Sequence, residues 1–276
     1  MANENKRGYL NGNFKLFHIN DKRAMDFDSH SHDFHKIIIC LSGNVTYIIE
    51  GKSYTLSPWD ILLVPRNKIH HSKTDSVVAY ERIVLFINDD FLKNACKNDI
   101  LSQGFSYVEQ NGKCLFHANS DRRKEISRCC ELIEKASSEN APDSEILCES
   151  SFITLMIHIN RLINSEGGYE GSVDDKKLDG IISYINENFT QQLSIDSIAH
   201  KFYISRSYLM QKFKSVTGGS IHSYITQKRL ALAMEMLRDG ARANDAASAC
   251  GFSDYTVFYK SFKKAYNQSP ADIKTK

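Results

Sequence analysis

The sequence predicts two unlike domains, a β-barrel followed by an all-α domain, in a chain of 276 residues. Three observations support this fold class. Short β-like runs fill the first hundred residues, a glycine-rich polar segment follows residue 165, and one helical pattern occurs twice in the last hundred residues. We therefore place an N-terminal domain at 1–165, a linker at 166–177 and a C-terminal domain at 178–276.

The first hundred residues predict the strands of the barrel. Six short runs are rich in Ile, Val, Tyr and Phe, which strands favour, and turn residues such as Gly43 and Gly51 separate them. The runs are 14–19, 36–41, 46–50, 54–56, 61–64 and 79–87. Many short strands at even spacing are typical of a sandwich or a jelly-roll barrel with room for a small ligand.

Two amphipathic helices are predicted between the barrel and the linker, at 122–138 and 143–164. Their apolar residues recur at three- and four-residue intervals. The recurring positions are Ile126, Cys129, Cys130 and Ile133 in the first helix and Ile146, Ser150, Ile153 and Ile157 in the second. These faces cover the barrel, form a dimer contact, or do both.

Charge divides unevenly between the two domains. Residues 176–276 hold 15 Lys and Arg against 8 Asp and Glu, whereas residues 1–175 hold 20 against 25. A basic domain on a mildly acidic one indicates that the C-terminal domain meets a polyanion. The seven cysteines include no Cys-x-x-Cys pair, so we expect reduced thiols in a cytoplasmic protein. No apolar run is long enough to predict a membrane span.

The last hundred residues contain one local pattern twice. In each copy a short helical stretch leads to a turn, a polar cap opens a second helix, and an apolar pair at i and i+4 is followed by lysine. The cap and the apolar pair are Ser205, Leu209 and Phe213 in the first copy and Asp254, Phe258 and Phe262 in the second. Each copy predicts a helix-turn-helix unit, with Gly251 at a positive φ in the second turn and a connecting helix over Ile221–Arg238.

The face opposite each apolar pair carries the residues that we expect to contact DNA. They are Arg206, Ser207, Met210, Gln211 and Lys214 in the first unit and Tyr255, Thr256, Tyr259, Lys260 and Lys263 in the second. Such donors and acceptors suit base edges in the major groove, and the lysines suit phosphates. A plain helical bundle with a solvated charged face is the alternative, but it does not explain the duplicated turn and cap.

Residues 178–276 resemble the DNA-binding domain of the AraC/XylS family of transcription regulators. The matching motifs are Phe213-Lys214, Thr217-Gly218 and Tyr224 in the first half, and Ala247, Gly251-Phe252-Ser253-Asp254, Phe258, Phe262-Lys263-Lys264 and Ser269-Pro270 in the second. Ala246, Asn267 and Lys274 depart from the family pattern, which usually has a larger aliphatic residue, glycine and arginine there. The resemblance implies a homodimer that binds double-stranded DNA and acts with RNA polymerase as an activator.

Residues 10–90 resemble the cupin-type sensor domain of the same family, through the segment from His30 to Gly43 and the segment from Pro58 to His70. Metal-binding cupins hold their ion with a His-x-His pair, a glutamate four residues later and a further histidine. Here Lys36 stands at the glutamate position, which removes an oxygen ligand and adds positive charge. We therefore predict neither a metal nor another cofactor.

A polar patch at the barrel mouth is the predicted effector site, formed by His30, His32, Lys36 and His70. On a strand, His30 and His32 would point to the same face. Charge-assisted hydrogen bonds from such a patch suit a small anionic or polyhydroxyl effector. The same residues could instead be ordinary polar residues of the surface or core. His35 and His71 are expected to be solvated.

Three functions follow from these domains. The first is a regulator whose DNA binding or activation responds to a small molecule in the barrel. The second is a cupin metalloenzyme with an accessory DNA-binding domain, and the third is a constitutive regulator whose barrel only dimerises. The missing metal glutamate and the absence of paired catalytic carboxylates in the sequence favour a regulator over an enzyme, so we predict no catalytic residue.

Overall fold

The computed structural model describes residues 10, 12–21, 28–74, 78–173 and 175–273, with the side chain of Glu166 left out. Lys274, one of the three departures from the family pattern, lies outside these residues. The predicted fold class is confirmed: an antiparallel jelly-roll-like barrel with flanking helices precedes an all-α domain.

The barrel is built from nine described strands, all paired antiparallel. They are β1 (Phe14–Asp21), β2 (His35–Ser42), β3 (Val45–Ile49), β4 (Lys52–Leu56), β5 (Asp60–Val64), β6 (His70–Thr74), β7 (Tyr80–Ile87), β8 (Lys113–His117) and β9 (Tyr169–Glu170). The larger sheet has the order β1-β7-β2-β5-β8-β9, and the smaller has the order β4-β3-β6. The six predicted strands are confirmed within a few residues at their ends.

Strands β6, β8 and β9 were not predicted, and β9 lies within the segment proposed as the linker. The sequence of β6, His-His-Ser-Lys-Thr, lacks the apolar alternation by which a half-buried strand is recognised. The side chains of its first three residues are nevertheless buried, because they pack on the barrel interior and on the helical domain. Polar strands of this kind are visible only once their neighbours are in place.

Four helices flank the barrel: α1 (Asp89–Asn94), α2 (Gln103–Asn111), α3 (Ser120–Ser138) and α4 (Ser144–Glu166). The predicted inner face of α3 is confirmed, since Ile126, Cys129, Cys130 and Ile133 are buried. The recurring positions of α4 are divided: Ile153 and Ile157 are partly buried and pack against the barrel core, whereas Ile146 is 73% exposed. The fully buried side belongs to residues such as Phe152, Leu155 and Ile159. Helix α4 is apolar around most of its circumference, so its inner face could not be chosen from spacing alone.

Contrary to the expectation from the sequence, one described helix, α4, is long and apolar enough to cross a membrane by length and composition, over Ser144–Ser165 with a mean hydropathy of 1.3. About 44% of this segment is buried inside the protein. It packs along α3 and contributes Phe152, Leu155 and Met156 to the barrel core, which is the behaviour of a core helix.

The C-terminal domain has six described helices: α5 (Lys176–Asn188), α6 (Ile195–Lys201), α7 (Arg206–Thr217), α8 (Ile221–Arg238), α9 (Ala243–Ala249) and α10 (Tyr255–Tyr266). The connecting helix α8 has the predicted bounds. Each helix-turn-helix unit has its own core, with Leu209 and Phe213 fully buried in the first and Phe258 and Phe262 in the second.

Part of the segment proposed as the linker is hydrogen-bonded to the barrel. Strand β9 pairs with β8, and Ser172 exchanges two backbone hydrogen bonds with Ser53 at 2.9 and 3.0 Å. Beyond it, Asp175 caps α5 by accepting from the backbone N–H groups of Lys177 and Leu178. This arrangement fixes the point at which the chain leaves the barrel.

Candidate functional sites

The first helix-turn-helix unit consists of α6, a four-residue turn and α7. Ser205 caps α7 as predicted, since its hydroxyl accepts from the backbone N–H of Tyr208 at 3.2 Å. In the turn, Tyr203 adopts a left-handed φ of 53° and is almost fully exposed. The cap and the buried pair Leu209 and Phe213 orient α7 so that its other face meets solvent.

The second unit repeats this geometry with α9 and α10. The Asp254 carboxylate accepts from the backbone N–H groups of Thr256 and Val257, as predicted. Gly251 has the expected positive φ, at +88°. A Cβ atom at this position would collide with the Thr190 carbonyl of the first unit, so only glycine allows the close approach. Asn267 ends α10 at a φ of 54°, a conformation that asparagine tolerates where the family has glycine.

The two units are held together by more than the connecting helix. The Arg229 guanidinium on α8 donates to the backbone carbonyls of Phe189 and Gln191, at 2.7 and 2.8 Å. The approach of Gly251 to Thr190 joins the same stretch to the second unit. The spacing between α7 and α10 is therefore set by packing, as a two-site reader of DNA requires.

The candidate DNA-contacting residues lie on the outer face of α7 and α10. Nine of the ten are exposed: Arg206, Ser207, Met210, Gln211, Lys214, Tyr255, Thr256, Lys260 and Lys263. Tyr259 is partly buried. Arg206 pairs with Asp196 at 2.7 Å, but both side chains are more than half exposed, and such surface pairs contribute little.

Three of the four candidate effector residues form a histidine cluster in the barrel. The ring centroids of His30 and His32 lie 4.5 and 4.9 Å from that of His70. His32 and His70 are 7% and 1% exposed, so the cluster lies inside the barrel and its predicted place at the mouth is wrong. Of His30 and His32, only His30 shows β pairing, through a bridge to His70 of β6, because segment 28–34 is mostly irregular rather than the expected strand.

Hydrogen bonds fix which nitrogen of each ring carries the proton. The Nδ1 atoms of His30, His32 and His70 lie 2.7 to 2.9 Å from backbone carbonyls two residues away. A carbonyl only accepts, so each Nδ1 is the donor, and Nε2 of a neutral ring is left as an acceptor. Among the described residues, Nε2 of His32 and Nε2 of His70 are buried without a hydrogen-bond partner.

The electrostatics of the cluster keep these two rings neutral. Burial, followed by the charges of Lys36 and His30, holds the pKa of His32 well below its ordinary value. Burial and neighbours His30, His32 and Lys36 do the same to the pKa of His70. The Lys36 ammonium lies inside the barrel, 5.9 Å from the ring centres of Tyr47 and Phe86.

Polar side chains that the sequence did not single out extend this interior. Arg82 is buried, pairs with Asp21 at 2.8 Å and lies over the Tyr80 ring at 4.4 Å. The Tyr80 hydroxyl is buried beside the Tyr47 side chain. Tyr80 and Arg82 lie in a largely apolar strand, so the local sequence did not mark them as site residues. The pairing of β2 with β7 aligns Arg82 with Cys40 and Phe86 with Lys36, which places Tyr80 and Arg82 on the same face of the sheet as Lys36.

The expectation that His35 and His71 are solvated is wrong. Both are buried: His35 Nε2 lies 3.1 Å from the Asp89 carboxylate, and His71 lies against the helical domain.

The histidine cluster is poorly suited to a metal ion. Within the described ranges no group of three His, Cys, Asp or Glu side chains converges to hold an ion. The Lys36 ammonium also repels a cation from the cluster.

A sensor-like barrel followed by two helix-turn-helix units defines a two-domain transcription regulator. Residues 16–156 match the AraC-like ligand binding domain family, and residues 198–276 match a helix-turn-helix domain family. The chain belongs to the AraC family of transcription regulators.

Known proteins are similar to this chain over most or part of its length. The HTH-type transcriptional activator RhaS of Escherichia coli O1:K1 / APEC is 27% identical over 252 residues, which cover 90% of this chain and 88% of RhaS. The structure of ToxT from Vibrio cholerae O395 is 16% identical, covering 94% of this chain and 96% of ToxT, with a TM-score of 0.39. The DNA-binding domain of AdpA in complex with a target DNA is 22% identical and covers 35% of this chain and 88% of its own, with a TM-score of 0.34.

Proposed function

We propose that the chain is an effector-responsive transcription activator with domains at 1–165 and 178–276 and a linker at 166–177. DNA is read by the outer faces of α7 and α10, through the ten residues assigned above. The main support for effector binding comes from two buried nitrogens, His32 Nε2 and His70 Nε2, which accept no hydrogen bond from the described residues. Leaving buried acceptors unsatisfied is costly, so a site that keeps two of them together is suited to a ligand that donates to both.

The protonation state of the cluster favours one of the two predicted effector classes. A hydroxyl-rich molecule can donate to His32 and His70 and accept from the Lys36 ammonium. A carboxylate offers no donor, and would place its oxygens against two lone pairs. We therefore propose a neutral polyhydroxyl effector, bound by His30, His32, Lys36 and His70, with Tyr80 and Arg82 lining the adjoining interior.

Substitution of Lys36 tests this site. Lys36→Met keeps the length of the side chain and removes the charge, so the barrel should remain folded while the affinity for the effector falls by about tenfold or more, the loss expected for a charged hydrogen bond. A thermal-shift screen of sugars, polyols and carboxylates would identify ligands, and titration of each hit into both proteins would give the ratio.

Lys124→Met is the control. Lys124 is an exposed residue of α3, outside the sheet that carries Lys36. Its removal should leave ligand affinity unchanged. An unaltered response of Lys36→Met would place the effector elsewhere, and a screen without any ligand would favour a barrel that only dimerises.

The partners and the location complete the proposal. The outer edge of α4 exposes Ile146 and Leu147, which supports a homodimer formed through the α3–α4 pair. Activation implies contact with RNA polymerase, in line with the name of the RhaS relative. Since DNA is the target, we place the protein in the cytoplasm, without enzymatic activity.

A further inference from the structure

The barrel carries one carboxylate that is buried against the helical domain. Glu50 and Gly51 form the two-residue turn between β3 and β4, both with positive φ. The tip of this hairpin points into the first helix-turn-helix unit, where a Cβ atom at Gly51 would collide with Ile182 of α5. The hairpin therefore packs closely on α5, where a larger residue at position 51 would displace the end of the Ile182 side chain.

Four donors converge on the Glu50 carboxylate. Oε2 accepts from Lys228 Nζ at 2.6 Å, from Asn186 Nδ2 at 3.0 Å and from the Tyr224 hydroxyl at 3.1 Å. Oε1 accepts from the backbone N–H of Ile69 at 2.8 Å. Three of these donors belong to α5 and α8, so the barrel supplies the acceptor and the helical domain supplies most of the donors.

The ion pair of Glu50 with Lys228 is largely removed from water, with side chains 15% and 12% exposed. Burial by itself would raise the pKa of Glu50, but the charges of Lys228 and Lys68 and the hydrogen bonds hold it below its ordinary value. The carboxylate is therefore ionised. Removing one member of such a pair leaves an uncompensated buried charge, whereas replacing both members by neutral groups is often tolerated.

The rest of α8 is docked on the barrel along the same face. Residues 224, 228, 235 and 238 follow helical spacing and lie on one side of the helix. The last two make polar contacts with the barrel, Glu235 with Asn67 at 2.9 Å and Arg238 with Asp33 at 2.6 Å. The connecting helix, which determines the placement of both reading helices, is thus held at both ends.

Three consecutive residues link the docked surface to the histidine cluster. The Ile69 side chain belongs to the core of the first helix-turn-helix unit, and its N–H donates to Glu50. His70 lies in the barrel cluster. The His71 ring packs against Gly218 at the C-terminal end of α7, where a Cβ atom would lie 3.2 Å away. A displacement of the His70 backbone moves Ile69 and His71 with it, because the three residues are consecutive, with Ile69 directly before β6 and His70 and His71 at its start.

We propose that Glu50 is a positioning residue for DNA reading, which holds the first helix-turn-helix unit in one orientation on the barrel. The segment from Ile69 to His71 transmits occupancy of the histidine cluster to this contact. The transmission through Ile69–His71 rests on the proposed effector site, whereas the positioning role of Glu50 does not. The test therefore uses no effector, so that a failure of the effector site leaves its result intact.

The experiment is hydroxyl-radical footprinting of the full chain, which reports the solvent exposure of individual side chains. In Glu50→Gln the Lys228 ammonium is unpaired, and undocking should raise the labelling of Ile69 and His71 several-fold. Phe213, in the core of the first unit, should keep its protection, and binding to a random-sequence duplex should stay within about twofold, because the outer faces of α7 and α10 are unchanged.

Two further variants separate positioning from a general loss of stability. Glu50→Gln combined with Lys228→Met leaves neither charge unpaired and should restore most of the protection of Ile69 and His71. Glu170→Gln makes the same chemical change in the exposed pair with Lys52, at 2.8 Å, and should change nothing. Unchanged labelling in Glu50→Gln, equal labelling of Phe213, or a double variant no better than the single one would each overturn the proposal.

Discussion

Raising the salt concentration from about 50 to about 200 mM should lower the affinity of the full chain for DNA on the order of a thousandfold, the loss expected for roughly six phosphate contacts. The reason is counterion release. The C-terminal domain is strongly basic, and Lys214, Lys260 and Lys263 are exposed on the outer faces of α7 and α10. Fluorescence anisotropy with a labelled duplex at a series of salt concentrations measures the slope directly.

The isolated fragment 178–276 should show a similar slope, since the proposed phosphate contacts lie in it. A matched acidic control is the barrel segment 1–165, which should not bind at any salt concentration. Failure of the full chain to bind a duplex at low salt, or an affinity independent of salt, would contradict the assignment of the helical domain to DNA.

Arg206→Ala and Gln211→Ala should each cost about 1–3 kcal/mol on the cognate site and relax its sequence preference, because both side chains can form hydrogen bonds with base edges. Lys263→Ala should weaken all sequences about equally, since a phosphate contact carries no sequence information. Arg206 must leave the exposed carboxylate of Asp196 to do so, at little cost. Selection from a random DNA library, followed by affinity measurement, separates the two effects.

The roles assigned to these residues, base reading for Arg206 and Gln211 and phosphate contact for Lys263, could be contradicted by the opposite result. Loss of sequence preference in Lys263→Ala, with none in Arg206→Ala or Gln211→Ala, would exchange the residues that read bases with those that contact phosphate. Lys176→Ala is a useful control, because Lys176 lies at the start of α5, outside both reading helices. Its removal should have a smaller and purely nonspecific effect.

Local chemistry made the helical domain predictable. Ser205 and Asp254 cap their helices, Gly251 adopts its positive φ and α8 spans Ile221–Arg238, because each depends on residues a few positions apart. The spacing of apolar residues in α4 left its role open between barrel cover and dimer contact, since an almost uniformly apolar helix carries little directional information.

The sites that depend on distant pairing were only partly predictable. The resemblance to sensor domains brought His30, His32 and His70 together. The burial of His32 and His70 depends on the folded barrel, and the direction of each Nε2 atom depends on the backbone carbonyls of Asp28, Phe34 and Lys68, which lie in or beside irregular segments. The contact of Glu50 with Lys228 joins residues 178 positions apart in the chain. Nothing in the local sequence of either residue indicates the other, because the contact exists only when both domains are folded and docked.

Footprinting on the sites that the full chain occupies across a genome tests the central claim most directly. Two unlike reading helices on one connected scaffold should protect successive major grooves on one side of the duplex, about 34 Å or one helical turn apart. The protected site of each protomer should be long and asymmetric, and a dimer should occupy two such sites, arranged as repeats. A single short palindromic half-site per protomer, or the absence of any sequence-specific protection, would contradict the account.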